Sequence, residues 1–236
     1  MDLTEHIRKV QATMAQAAVN AGRDPGEITL CAATKVQTDD TIRAAIAAGV
    51  PVCGENRVQE LTAHLEHNAY EGARVHFIGH LQTNKVKQVV GKVELIHSVD
   101  SLHLLQAINN QADKLGLIQD FLLEVNIAGE ESKGGCTPEL AWELAQQSAQ
   151  LDHVRFRGLM AIPPVSTVPG ENRPWFRAMH QLFVDMREKM SDNQGDITYL
   201  SMGMSGDYAD AIAEGSTLIR VGTALFGPRP PMVPRK

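Results

Sequence analysis

The alternation of strand-like and helix-like segments is the feature that most constrains what this chain can fold into. Eight short runs rich in apolar residues alternate with amphipathic helical patterns, and the connections between them are short. Such alternation is typical of βαβ units, which build a parallel sheet. Eight units within 236 residues predict a closed (β/α)8 TIM barrel of the α/β class. The predicted strands are residues 28–34, 51–54, 74–78, 94–99, 121–127, 154–162, 197–202 and 217–221.

Helix signals occupy the gaps between these strands. Leu3 and Ile7 mark the apolar face of an additional N-terminal helix, which we expect to cover the lower end or the side of the barrel. Thr38 or Asp39 caps the helix after the first strand, and Thr137 is followed by a proline, which is a strong helix start. Further helices are predicted after Glu55 and Asn56 up to about residue 67, and at about residues 83–91, 102–115, 175–190 and 208–214.

The whole chain is expected to form a single domain, residues 1–236. The barrel proper spans about residues 28–227, and a basic, proline-rich tail at 228–236 is expected to fray. A doubly wound open sheet is the alternative, but no G-x-G-x-x-G motif follows the first strand.

Composition excludes several classes of protein. The net charge of −6 argues against nonspecific binding of nucleic acid, and no apolar run approaches the roughly 18–20 residues of a membrane span. The three cysteines have no framework spacing, which predicts free thiols in a reducing cytoplasm. Nothing in the sequence marks a large apolar interface, so a monomer is expected.

The carboxyl ends of the predicted strands carry the polar residues that a barrel would bring to one mouth. In strand order these ends are Lys35, Glu55 with Asn56, His80, Asp100, Asn126, Met160, Ser205, and Gly222 with Thr223.

Lys35 ends the apolar run ITLCAATK and has two interpretations. One is a solvated charge where the strand leaves the core. The other is an amine in a pocket, with a pKa lowered by burial, that condenses with an aldehyde. If the pleat turns Cys31 and Ala33 inward, these small residues leave room above them for the lysine.

The exits of the seventh and eighth strands suggest a phosphate site, which barrels frequently place there. Ser205 precedes a helix, so its hydroxyl and the neighbouring amides face an anion at the helix N-terminus. Gly222 offers an open backbone and Thr223 a hydroxyl. A simple helix cap and a simple turn are the alternatives.

Arg220 lies within the otherwise apolar eighth strand and therefore needs a partner or a ligand. It forms either a structural ion pair within the barrel or a contact with the polar edge of a ligand. A lysine amine, a phosphate cradle and a buried polar partner are what pyridoxal 5′-phosphate (PLP) requires. A phosphosugar aldolase requires a similar set, so both remain open at this point.

Six motifs, spread from residue 28 to 227, cover nearly every strand exit: AATK, CGENRVQEL, HFIGHLQTNK, RGLMAI, LSMGMSGDYADAIAEGST and IRVGTALFG. In their order and spacing they resemble the pyridoxal phosphate homeostasis proteins, which have the fold of the alanine racemase N-terminal domain. Cys53 departs from the FGEN found in many relatives, which puts packing around the ring in question.

The resemblance implies that Lys35 carries PLP covalently, as an aldimine. It also implies that Ser205, Gly222 and Thr223 hold the phosphate, that Arg220 lies by the pyridine nitrogen or the phosphate edge, and that Asn56 lies close to the ring.

The implied role is PLP homeostasis: buffering or carrying PLP in the cell, with apo PLP-dependent enzymes as possible recipients and indirect effects on amino-acid metabolism. No catalytic residue is assigned. The alternative is a PLP-dependent amino-acid racemase or lyase, for which His80 and Tyr208 are the candidate second bases. Racemases of this fold add a C-terminal domain that supplies this base, whereas this chain ends 15 residues after the eighth strand.

Two further groups of residues are left without an assigned role. His64 with His67, and His76 with His80, lack a carboxylate or cysteine at metal-site spacing, so no metal site is predicted. Lys133, close to Cys136, is expected in a solvated loop and could contact the cofactor in transit.

Overall fold

The chain folds into a closed barrel of eight parallel strands, which confirms the predicted (β/α)8 architecture. The computed structural model describes residues 2–130, 133–166, 168–190 and 197–228. Each strand pairs with the next in chain order, and the last pairs with the first. The strands are β1 (Thr29–Ala33), β2 (Val52–Glu55), β3 (Arg74–Phe77), β4 (Leu95–Val99), β5 (Gln119–Glu124), β6 (Val154–Met160), β7 (Tyr199–Ser201) and β8 (Leu218–Val221).

Helices surround the barrel, and two of them begin at caps that the sequence predicts. Thr38 accepts a hydrogen bond from the amide of Thr41, and Thr137 accepts one from the amide of Leu140. The α-helices are α1 (Leu3–Asn20), α2 (Asp39–Ala47), α3 (Val58–Glu66), α4 (Leu102–Leu115), α5 (Pro138–Ser148), α6 (Arg173–Lys189), α7 (Tyr208–Ala213) and α8 (Thr223–Phe226). Short 3₁₀ helices span Pro25–Glu27 and Thr83–Gln88.

Helix α1 packs on the side of the barrel, which is one of the two predicted positions. It contacts α7, α8 and α2. The ring Nδ1 of His6 lies 3.0 Å from the carbonyl oxygen of Leu225 in α8. Because α8 has only one turn, α1 covers barrel surface that a longer final helix would otherwise cover. The predicted tail lies outside the described residues from residue 229 onward.

Two predicted elements differ most from the structure. The segment after β3 forms a 3₁₀ helix over Thr83–Gln88, where an α-helix to about residue 91 was expected. Strand β5 begins two residues earlier than predicted and ends at Glu124. Its start is held by the buried amide of Gln119, which donates to the carbonyls of residues 93 and 94. Its end is set by the following loop, since the amide of Cys136 donates to the carbonyl of Glu124.

The apolar core has an outer layer and an inner layer. The outer layer lies between the barrel and the helices and contains most of the buried aliphatic and aromatic residues. The inner layer consists of two small clusters inside the barrel, made of Cys31, Val52 and Leu218 and of Leu95, Leu122 and Met160. Inward-pointing side chains that lie closer to the carboxyl ends of the strands are therefore next to an apolar layer.

Candidate ligand-binding cavity at the barrel mouth

A cavity of about 780 Å³ opens at the carboxyl ends of the strands. Its wall includes all six residues predicted to hold a cofactor: Lys35, Asn56, Ser205, Arg220, Gly222 and Thr223. His80 also lines it, whereas Glu55, Asp100, Asn126 and Met160 do not. The six predicted residues therefore lie around one cavity, and four of the other strand-end residues lie outside its wall.

Lys35 reaches the cavity from the turn that follows β1. Cys31 belongs to the inner apolar cluster and Ala33 lines the cavity, which confirms the predicted direction of the pleat. Lys35 is half-buried rather than fully solvated. Thr34 anchors the turn, because its amide donates to the carbonyl of Gly54 at 3.0 Å and its hydroxyl donates to Glu55 Oε1 at 2.5 Å.

Glu55 points away from the mouth, contrary to the expectation that it converges there with Asn56. Alternation along β2 turns Val52 and Gly54 inward and Glu55 outward, into the layer between barrel and helices. Its side chain is fully buried, and burial raises the pKa of its carboxyl group while the hydrogen bond from Thr34 opposes this. Glu55 therefore supports the lysine turn from behind.

Asn56 faces the cavity with a buried side-chain oxygen. Within the described part of the chain, its Oδ1 has no hydrogen-bond partner. Buried amide oxygens are normally paired, so this atom is suited to a polar ligand group. Cys53 lies in the outer core and does not line the cavity, so its departure from the family pattern does not change the cavity wall.

Ser205, Gly222 and Thr223 form the opposite wall. The Ser205 hydroxyl oxygen accepts hydrogen bonds from the amides of Gly222 at 3.1 Å and Ala224 at 3.2 Å. Asp207 fixes the loop before α7 by accepting from the amide of Met204 at 2.7 Å. Two backbone N–H groups thus converge on one oxygen at the exit of β8, an arrangement that favours an anion.

Arg220 is held by neutral acceptors. Its Nη1 donates to the carbonyl oxygen of Ser201 at 2.9 Å and to the Ser201 hydroxyl at 2.6 Å, and its Nη2 donates to the carbonyl of Ala161 at 2.9 Å. Among the described residues it makes no ion pair, so the predicted structural ion pair is wrong. Burial lowers the pKa of the guanidinium, and Glu124 is one of the groups that oppose this shift.

A chain of buried hydrogen bonds leads from Arg220 down through the barrel. His97 Nδ1 lies 3.1 Å from Ser201 Oγ, and His97 Nε2 lies 3.0 Å from His76 Nδ1. Arg220 can only donate, so the Ser201 hydroxyl accepts from it. In the tautomer that carries the His97 proton on Nε2, the Ser201 hydroxyl donates to His97 Nδ1 and His97 Nε2 donates to His76 Nδ1. Burial is the main cause that lowers the pKa of both imidazoles, which keeps them neutral.

Glu124, His97 and Ser201 were not singled out from the sequence. Glu124 lines the cavity at the end of β5, and burial raises the pKa of its carboxyl group. In the strand register Glu124 lies beside Met160, and Met160 lies beside Ser201. The sequence does contain a signal for these three residues, since each is a polar residue at an inward position of an apolar strand. The same signal identified Arg220.

The two candidate second bases are separated by the structure. His80 lines the cavity, whereas Tyr208 does not.

Lys133 lies in the cavity wall and is half-buried, so the expectation of a solvated loop lysine is wrong. Its Nζ donates to the carbonyl of Pro163 at 2.7 Å and pairs with Glu130 at 2.5 Å. Cys136 is buried, and burial raises the pKa of its thiol to about 12, which makes it unreactive.

The two histidines of α3 and its C-terminus share a carboxylate that sequence spacing did not indicate. Asp39 of α2 contacts Nδ1 of His64 at 2.5 Å and Nδ1 of His67 at 2.7 Å. Over the described ranges, no group of three or more acidic, histidine or cysteine side chains could hold a metal ion. No helix in those ranges is long and apolar enough to cross a membrane.

Comparisons with known proteins agree with this fold. The family model "Alanine racemase, N-terminal domain" matches residues 26–230. A pyridoxal phosphate homeostasis protein of Aquifex aeolicus is 41% identical over 229 residues, covering 97% of this chain and 99% of that protein. One of Pseudomonas aeruginosa is 40% identical over 227 residues, covering 96% of each.

Solved structures give the same picture. PipY of Synechococcus elongatus with PLP bound superposes with a TM-score of 0.82 at 32% identity, covering 96% of this chain and all of that one. An alanine racemase of Clostridium difficile superposes with a TM-score of 0.71 at 14% identity, a likeness of fold alone. This chain covers 57% of that racemase.

Proposed function

The chain belongs to the family of the alanine racemase N-terminal domain, and from this premise we propose that it binds PLP covalently at Lys35 and acts in PLP homeostasis. The observation that carries the proposal is the convergence of a lysine and an anion-binding backbone on one cavity. Relatives at 40–41% identity over nearly the whole chain are named for PLP homeostasis, and the PipY structure contains PLP.

The residues of the cavity fit the chemical groups of PLP. The amine of Lys35 suits the aldehyde, and the amides that converge on Ser205 suit the phosphate. The unpaired Oδ1 of Asn56 and the hydroxyl of Thr223 add polar groups to the cavity. We assign the phosphate to Ser205, Gly222 and Thr223, and the edge of the ring to Asn56.

Arg220 is assigned to the pyridine nitrogen. Its Nη1 and Nη2 are used by Ser201 and Ala161, and no hydrogen bond within the described part of the chain uses its Nε–H. Bound PLP supplies an aldehyde that reacts reversibly with amines and a ring that accepts electrons when its nitrogen is protonated. A permanently charged guanidinium disfavours that protonation, so this wall favours holding PLP over using it as an electron sink.

We assign no catalytic residue and favour a carrier over a racemase or lyase. Relatives that cover nearly the whole chain carry homeostasis names, whereas the racemase likeness extends to the fold alone. His80 would have to act as the second base, since Tyr208 does not line the cavity. Turnover of an amino acid by the pure protein, lost on Lys35→Ala, would support the enzyme instead.

The proposed setting is the cytoplasm, with apo PLP-dependent enzymes as recipients of PLP and the monomer as the working unit. All three cysteines are free and buried, as expected of a reducing compartment. Size-exclusion chromatography with light scattering tests the monomer, and activation of an apo enzyme by the loaded protein tests the transfer.

The experiment that tests covalent binding is spectroscopic. Purified protein incubated with PLP is expected to gain a visible absorption band, and borohydride is expected to fix the cofactor on the peptide containing Lys35. Lys35→Ala should give neither result, while Lys114→Ala, a lysine change in the last turn of α4 far from the cavity, should give both. A wild-type protein that stays colourless after loading would refute the proposal.

A further inference from the structure

The turn that carries Lys35 contains a strained residue. Val36 has a φ of +61°, in the left-handed region that β-branched side chains rarely adopt. The only other non-glycine residue with positive φ among those described is Asn68, whose side-chain type tolerates this region. Strain of this kind persists where the surroundings enforce it, and it concentrates at functional sites.

The geometry is that of a type II turn. The amide of Gln37 donates to the carbonyl of Thr34 at 3.0 Å, which closes a turn with Lys35 and Val36 at its centre. Lys35 has no positive φ, and Val36 does, which is the type II pattern that normally requires glycine or asparagine at the position of Val36. A type I turn would relieve the strain through a rotation of about 180° of the peptide between Lys35 and Val36.

Glu60 is the group that opposes this rotation. Its Oε2 accepts the amide of Val36 at 2.8 Å, a charge-assisted hydrogen bond that only the strained turn allows. Arg57 contacts the other oxygen, Glu60 Oε1, at 3.3 Å and is more exposed than Glu60. Glu60 lies in α3, within the motif CGENRVQEL, and does not line the cavity.

We infer that Glu60 is a positioning residue for Lys35: its carboxylate holds the Lys35–Val36 peptide in one orientation and so prepares the lysine for the aldehyde. This inference rests on the proposed PLP binding at Lys35. Without Glu60 the strain favours the rotated peptide by roughly tenfold. Since only the competent fraction binds, the apparent affinity for PLP falls by about the same factor.

A double-mutant cycle separates this role from a general effect on folding. Glu60→Ala is expected to weaken PLP binding about tenfold, measured by the visible band in a titration. In the Val36→Gly background, where glycine tolerates the left-handed turn, Glu60→Ala is expected to weaken binding by no more than about twofold. Glu66→Ala, an exposed glutamate at the end of the same helix, is the matched control and should bind as the wild type does. An equal loss in both backgrounds would overturn the inference.

Nuclear magnetic resonance of the ligand-free protein tests the turn without the cofactor. The amide proton of Val36 should be protected from hydrogen exchange although the residue is 49% exposed. The protection should disappear in Glu60→Ala and persist in Glu66→Ala. Unchanged protection in Glu60→Ala overturns the inference. A wild-type protein that fails to load PLP but shows the expected protection would refute the proposed function while Glu60 is still seen to hold the turn.

Discussion

Gly79 provides a sharp test of the way in which the strand exits shape the cavity. It follows β3 and lines the cavity beside the backbone of Asn56. A Cβ atom at this position would lie 2.2 Å from the carbonyl oxygen of Asn56 and 2.5 Å from its Cα. The φ of Gly79 is not in the left-handed region, so an alanine there clashes without adding backbone strain of its own.

The clash must be relieved by backbone movement, since the atoms it meets are main-chain atoms. Restoring ordinary contact from 2.2 Å requires a shift of about 1 Å. Overpacking of this kind lowers the free energy of unfolding by roughly 1–3 kcal/mol. The shift also carries the side chain of Asn56 away from its place in the wall. Loss of the hydrogen bond that we propose between Asn56 and PLP would weaken PLP binding by about tenfold.

Urea denaturation and a PLP titration measure the two effects of Gly79→Ala. The stability control is Gly206→Ala, because no atom lies within 4 Å of a Cβ at Gly206 and its φ is not left-handed. That change should alter the free energy of unfolding by less than about 0.5 kcal/mol. A Gly79→Ala protein with wild-type stability and wild-type PLP affinity would show that the exits of β2 and β3 do not constrain the site.

Three further changes test the polar groups of the barrel. His97 has a folded-state pKa well below its ordinary 6.5, so the unfolded state binds the proton first, and stability is lost as pH falls below 6.5. At pH 5.5 the loss from His97 should be roughly 1 kcal/mol in urea denaturation, and its ring nitrogen resonances should still report a neutral ring with the proton on Nε2. Ser205→Ala removes the oxygen on which two amides converge and should weaken PLP retention by roughly tenfold in equilibrium dialysis, with little change in melting temperature. Glu124 has a raised pKa from burial, so its contribution to stability is lost as pH rises; Glu124→Gln should raise the melting temperature at pH 7.5 and lose this advantage near pH 4. Contradicting results would be a charged His97 ring at pH 5.5, unchanged retention in Ser205→Ala, and a lower melting temperature for Glu124→Gln at pH 7.5.

The fold was predictable because local signals and the global topology agree in this chain. Caps such as Thr38 and Thr137 mark helix starts by a mechanism that acts within a few residues. The number of strands then implies a closed barrel, and the barrel fixes which ends meet. Five of the six predicted cavity residues follow from that single step, since each stands just beyond a strand end, whereas Arg220 was identified as a charged residue within an apolar strand.

What sequence could not supply is set by contacts between distant residues. The start of β5 depends on the side-chain amide of Gln119, which reaches carbonyl groups just before β4. Its end depends on the loop that brings the backbone amide of Cys136 back to the carbonyl of Glu124. Both involve residues that are poor indicators of strands. Glu55 was expected at the cavity together with Asn56, but adjacent residues of a strand face opposite sides, so only Asn56 faces the cavity. The role of Asp39 beside His64 depends on the packing of α2 against α3, which no spacing in the sequence encodes.

The buried chain beneath Arg220 connects the fold to the kind of chemistry that the cavity favours. With the His97 proton on Nε2, Arg220 donates to Ser201, Ser201 to His97, and His97 to His76, so every proton in the chain points away from the cavity. To deliver a proton upward, His97 would first have to become charged, which burial and the nearby guanidinium both oppose. With Arg220 placed beside the pyridine nitrogen, the barrel interior would fix a positive charge there and withhold the proton that an electron sink requires. In that arrangement the barrel interior would suit a lysine that takes up an aldehyde and releases it again.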